Sequence, residues 1–173
     1  FNVREPRVIN KVNLNYGLSY QELDYSKSSY YDLDKLDFNL GFDFNITNKI
    51  NNKISLLYEL NDYGITDTSK VSSTILDSSG SNAIIKIKND ISYNNLNSFI
   101  RPSSGHAYSL SSVLSPITNS NDGYIKNTIN LRKYFSLNKS IVSIQTQIGN
   151  ITSLQDDVVT DSDKFSTGGS WLR

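Results

Sequence analysis

Leu36, Phe38, Leu40, Phe42 and Phe44 interleave without a break with Asp37, Asn39, Gly41, Asp43 and Asn45. In an extended chain successive side chains point to opposite faces, so this segment has one wholly apolar face and one that carries carboxylates. A helix would scatter the same apolar positions around its axis. The two-residue period recurs at Val12, Leu14, Tyr16, Leu18 and Tyr20, which alternate with Asn13, Asn15, Gly17, Ser19 and Gln21. Such strands must set one face against hydrocarbon, either a protein core or a lipid bilayer, and these two surroundings imply different functions.

The period predicts strands near Lys11 to Leu23, Lys35 to Ile46, Lys53 to Tyr63, Ala83 to Asn94, His106 to Leu114, Tyr124 to Phe135 and Ser140 to Ile151, after a short N-terminal end at Asn2 to Arg7. These seven segments are longer than the roughly five or six residues of a typical globular strand, and close to the nine to eleven or so that cross a bilayer at a tilt. Connector lengths alternate too. Asp24 to Asp34, Gly64 to Asn82 and the tail from Thr152 are long and polar, whereas Thr47 to Asn52 and Ser136 to Lys139 are tight. The connector through Pro102 to Gly105 is of middling length, and Pro116 to Gly123 follows it in the alternation. Outer-membrane barrels segregate short and long loops to opposite ends, and soluble sandwiches have no reason to.

Register is well specified in the second strand, since a one-residue slip would move Asp37 and Asp43 onto the apolar face. Lys86, Lys88, Asp90, Lys126 and Arg132 fall on the side opposite Ile85, Ile87, Ile91, Ile125, Ile129 and Leu131, as a polar lumen requires. Asn89 and Asn127 interrupt those otherwise apolar faces. Tyr20, Tyr25, Tyr63, Tyr93 and Tyr134 lie near strand ends, where an interfacial girdle uses amphipathic rings.

Composition removes several function classes. Seventeen Lys and Arg balance seventeen Asp and Glu, which leaves no electrostatic footprint for nucleic acid. There is no cysteine, so disulfides and cysteine-based metal sites are excluded. No apolar stretch reaches the roughly 20 residues of a membrane helix, so any span is made of strands. The absence of methionine and a start on Phe1 lead us to expect an internal piece of a longer protein. A triad or histidine metal site finds one histidine, His106, beside a turn glycine, and no catalytic or cofactor role is expected of it. Asp156, Asp157, Asp161 and Asp163 lack the glycine and terminal glutamate of an EF-hand loop and read as a solvated external loop. The sequons at Asn45, Asn138 and Asn150 are expected by chance in a chain this rich in Asn and Ser.

Two local patterns exceed generic β structure. One is Arg101-Pro102-Ser103-Ser104-Gly105 leading into a strand; the other is Lys164-Phe165-Ser166-Thr167-Gly168-Gly169-Ser170-Trp171-Leu172-Arg173. Between them lie Tyr124-Ile125-Lys126 and Tyr134-Phe135-Ser136-Leu137, and upstream stands Glu5-Pro6-Arg7. In this order the motifs resemble the C-terminal barrel of the bacterial surface antigen superfamily, most closely its outer-membrane assembly factors. Ser136 stands where that family has proline, and Asn94 and Asn97 where it has aspartates.

The resemblance implies an all-β fold, a transmembrane antiparallel β-barrel, with residues 1–173 forming a partial barrel domain of about seven of sixteen strands. N-terminal periplasmic repeats and the last barrel strands lie outside this expectation. It further implies a protein of the cell outer membrane, not an enzyme, that folds and inserts other β-barrel proteins. Its partners would be membrane lipid, unfolded barrel clients and accessory lipoproteins held by the repeats. Phe165, Gly168, Gly169 and Arg173 would form a loop motif that folds back into the lumen. Pro102 and Gly105 would be structural turn residues. A guanidinium suits the lumen because it is always charged and forks to carboxylates or aromatic faces. Two other readings stay open: a sister barrel that translocates secreted proteins or assembles autotransporters, and a soluble extracellular β-sandwich adhesin.

Overall fold

The structure is a computed structural model that describes residues 1–9, 11–77, 79–116, 123–154 and 165. Eight strands follow one another: β1 (Asn2–Ile9), β2 (Val12–Asp24), β3 (Tyr31–Asn45), β4 (Ile50–Ile65), β5 (Gly80–Leu96), β6 (Gly105–Ser115), β7 (Tyr124–Leu137) and β8 (Ser140–Ser153). They form a single sheet in sequence order, every neighbour antiparallel, with β1 and β8 as its two edges among the described residues. One short helix, α1 (Ser73–Asp77), sits in the connection between β4 and β5. No described helix is long and apolar enough to cross a membrane.

The seven expected strands are all present, and the short N-terminal end adds an eighth. Asn2 to Arg7, read as a short end, belongs to β1, which pairs with β2 from Asn2↔Gly17 to Glu5↔Leu14 and again at Ile9↔Val12. The register shifts between Glu5 and Ile9, the stretch holding Pro6. Proline lacks the ladder donor and is confined to edges and bulges, so β1 carries no clean alternation and was invisible as a strand.

Local chemistry sets the turns. In the β3–β4 turn the Thr47 hydroxyl oxygen accepts from the backbone N–H of Lys49 at 3.2 Å and of Ile50 at 3.1 Å. The β7–β8 hairpin closes through Asn138, whose φ of +52° lies in the left-handed region that asparagine tolerates. This turn and the β3–β4 and β5–β6 connections lie at one end of the sheet. The β2–β3 connection and the longer β4–β5 connection that holds α1 lie at the other.

Burial is inverted relative to a water-soluble domain. Phe38, Phe42, Ile54, Leu56, Ile87, Ile129 and Ile148 are all exposed, whereas Lys86, Ser55, Asn61 and Ser115 are buried. Tyr124 is the buried hydrophobic residue among those described. Side chains crowd on a concave sheet face and splay on a convex one, so the charged face is the inner one and the apolar face the outer. Among the described residues there is no hydrocarbon core; the apolar surface looks outward.

The register explains the two stray asparagines. Asn89 faces Ser112, Ser112 faces Asn127, and Asn127 faces Asn150, so four strands bring their polar residues into one row on the apolar face. Ser112 Oγ donates to Asn127 Oδ1 at 2.7 Å, so the interruption is partly satisfied within the wall. Asn52 lies on the same face, one step from that row, and the Oδ1 atoms of Asn52 and Asn89 are buried without a hydrogen-bond partner.

Candidate functional site

The inner face is a charged wall. Period-two alternation in β2 to β5 directs Asn13, Asp43, Lys53 and Asp90 into one cross-strand row, and Ser19, Asp37 and Glu59 into another. Arg4 Nη2 reaches across β2 to Asp43 Oδ2 at 2.9 Å, while Asn13 and Asn51 donate amide N–H groups to Asp43 Oδ1 at 3.2 and 3.3 Å. Lys86 Nζ donates to Glu59 Oε2 at 2.9 Å, and Lys35 lies 3.8 Å from the same carboxylate and 3.5 Å from Asp37. Lys88 pairs with Asp90 at 3.0 Å. Lys86 is 8% exposed, so its charge depends on Glu59 far more than a surface lysine would.

Phe165 stands on this wall. Its ring occupies the space a side chain at Gly149 would take, because a Cβ built there meets the ring's Cζ, Cε1 and Cε2. Lys126 Nζ lies 4.4 Å from the ring centroid, within cation–π range. Lys126 sits opposite Ile151 on β8, and the next inner pair is Thr128↔Gly149. Phe165 therefore lies against the inner face of β7 and β8. Glycine inside a strand commonly marks such a close approach, and Gly149, flanked by Ile148 and Asn150, is the residue that sequence reading passed over. Gly168, Gly169 and Arg173, and the acidic stretch from Asp156 to Asp163, lie outside the described residues.

Pro102 and Gly105 lie in and after the β5–β6 connection. Asn97 organises it: its Oδ1 accepts from the backbone N–H of Ser103 at 3.0 Å and of Ser104 at 3.1 Å, and its Nδ2 donates to Ser103 Oγ at 2.8 Å. Gly105 opens β6 with φ +104°, and a Cβ there would collide with the Asn95 carbonyl. Any other residue is strained at this position.

His106 is not on the inner wall. It faces Asn95 and Lys133 on the outer face, stacked between Tyr93 and Tyr108 at centroid distances of 5.5 and 5.1 Å. Of the tyrosines expected in a girdle, Tyr20 and Tyr93 share the outer face; Tyr63 and Tyr134 alternate to the inner one, and Tyr31 bridges Tyr25 and Tyr63 at 5.2 and 5.9 Å. No group of three His, Cys, Asp or Glu placed to hold a metal occurs among the described residues.

The model of the Omp85 superfamily domain matches residues 1–173. Among solved structures the chain is similar to BamA from Haemophilus ducreyi lacking POTRA domains 1–3, at 17% identity with a TM-score of 0.77. That alignment covers 98% of this chain and 35% of the BamA chain, so the chain spans about a third of the length of that relative. No curated protein matches this chain. The shared architecture is the antiparallel barrel wall, here with apolar residues outward and charges inward. Omp85 barrels are assembly or translocation proteins of the outer membrane and not enzymes, and this chain belongs to the Omp85 superfamily.

Proposed function

We propose that this chain is a stretch of barrel wall from an outer-membrane assembly factor that folds and inserts other β-barrel proteins, as the resemblance to BamA implies. The observation that carries the reading is the return of Phe165 to the inner wall, at the head of a Phe-x-x-Gly-Gly segment that runs on to Arg173. Phe165, seated on Gly149 beneath Lys126, anchors the loop at its start. In the family motif that this segment resembles, the paired glycines, here Gly168 and Gly169, permit a reversal and the arginine, here Arg173, offers a permanent charge to carboxylates. Neither chemistry nor a cofactor is needed: the wall holds a polar interior beside a bilayer into which clients pass. The partners are unfolded barrel clients and membrane lipid, with accessory lipoproteins bound through periplasmic repeats that lie outside this chain.

Depletion of the parent protein tests the reading. Loss of heat-modifiable, folded barrel proteins across the outer membrane supports assembly. Loss of one secreted protein or of autotransporters alone, with other barrels inserted normally, replaces it with the sister function in the same superfamily.

A further inference from the structure

We infer that the outer face carries a phospholipid-binding site at the end of β5, β6 and β7 where the tight turns lie, with Lys133 and His106 holding the headgroup phosphate and a neighbouring groove holding an acyl chain. The groove is a shallow one, open to the outside, of about 220 Å3, lined by Ile91, Tyr93, Tyr108, Ser109, Leu110 and Ile129, and its surface is almost wholly apolar. Its end runs into the stacked rings of Tyr93, His106 and Tyr108, whose centroids are 5.1–5.9 Å apart. His106 and Lys133 face each other across β6 and β7, two residues, or about 7 Å, beyond the Tyr108↔Leu131 pair.

Charge selects the ligand. Between β5 and β8 the apolar face carries no carboxylate, and Lys133 is its one permanently charged residue among those described. An unbalanced cation beside hydrocarbon calls for an anion, and a long lysine side chain is suited to reach from the edge of an apolar band to a phosphate. Lys133 Nζ rests 4.8 Å from the Phe135 ring centroid, which leaves its donors available to a phosphate oxygen. The imidazole adds an N–H donor and the Tyr108 hydroxyl another. The connection between β5 and β6, at the same end, exposes Phe99 and Ile100 at 88% and 90%, followed by Arg101. An apolar tip with an adjoining cation belongs to the same interfacial layer. A free phosphate would use the cation and leave the groove empty, so the commitment is to a two-part ligand, phosphate and chain together.

The test uses the full-length parent protein, stripped of lipid in detergent and titrated with dioleoyl phosphatidylglycerol, with retained lipid counted by native mass spectrometry. Wild type is expected to retain one lipid about tenfold more strongly than Lys133→Gln, the loss of a charge-assisted contact, with Lys133→Arg close to wild type. Leu110→Trp, which fills the groove and leaves the charge intact, is expected to lose the lipid as well. Dioleoylglycerol, which has the chains without the phosphate, should bind weakly and equally to wild type and Lys133→Gln. Heat-modifiable mobility on gels confirms that each variant is folded. Equal retention of phosphatidylglycerol by folded wild type and Lys133→Gln overturns the site. Undiminished retention by Leu110→Trp, or full displacement by millimolar inorganic phosphate, overturns the lipid in favour of a simple anion site.

Discussion

Glycine positions decide where this wall permits contact. At Gly149 the Phe165 ring fills the place of a side chain, so Gly149→Val must expel it. In the full-length protein carrying Phe165→Trp, the added Gly149→Val change should shift tryptophan emission to the red and increase acrylamide quenching about twofold, with a stability loss of roughly 1–3 kcal/mol from overpacking. Unchanged emission would mean that residue 165 does not rest on the wall. Gly105 is different in kind, since its φ of +104° and the nearby Asn95 carbonyl exclude a side chain for backbone reasons. Gly105→Ala is expected to cost about 1–3 kcal/mol, read as a lower denaturant midpoint in detergent. The Pro-Ser-Ser-Gly motif was legible in sequence because turn chemistry is local. The role of Gly149 was not, because its partner lies beyond the end of its own strand.

Among elements, Glu59 links three strands, binding Lys86 from β5 at 2.9 Å and Lys35 from β3 at 3.8 Å. Glu59→Gln leaves Lys86 buried beside a neutral amide, and a destabilisation of roughly 2 kcal/mol is expected in denaturant titrations, larger than for any exposed pair. Lys70→Gln, which breaks the exposed pair with Asp67, serves as the comparison. In the β4–β5 connection the Ser69 hydroxyl, then the Ser69 backbone N–H and Lys70, hold the Asp67 carboxyl below the ordinary aspartate range. A lowered pKa means that these contacts favour the folded loop fully above the unfolded value and lose that effect as pH falls through the folded one. Carboxyl NMR titration should therefore place the Asp67 midpoint below that of an ordinary aspartate, and Ser69→Ala should move it upward. Element existence was readable wherever alternation was clean, in β2 and β3 above all. β1 escaped because Pro6 and the shifted register erase the pattern. Helix α1 escaped because a single turn of Ser73–Asp77 carries no periodic signal.

At the scale of the whole molecule, the question is which face meets hydrocarbon, and adjacent residues of one strand can answer it. Leu40 points outward, opposite Leu56, and Asn39 inward, opposite Leu57. Leu40→Arg should cost up to about 2–4 kcal/mol when the parent protein folds into phospholipid vesicles, whereas Asn39→Arg should cost well under 1 kcal/mol. Equal costs would mean that the face carrying Leu40 does not meet the bilayer. The sequence by itself determined that strands of period two carry one apolar and one charged face, because alternation is a property of the extended backbone and needs no partner. It also determined the family motifs and their order. Tertiary structure decided what pairing alone can decide. The row of Asn89, Ser112, Asn127 and Asn150 exists only in register, the tyrosines divide between faces by the offset of each strand, and the contact of Phe165 with Gly149 joins residues that no local pattern relates. It also decided which face is concave, since exposed leucines and a buried lysine follow from how neighbouring strands crowd or splay their side chains, a relation between strands that no single strand encodes.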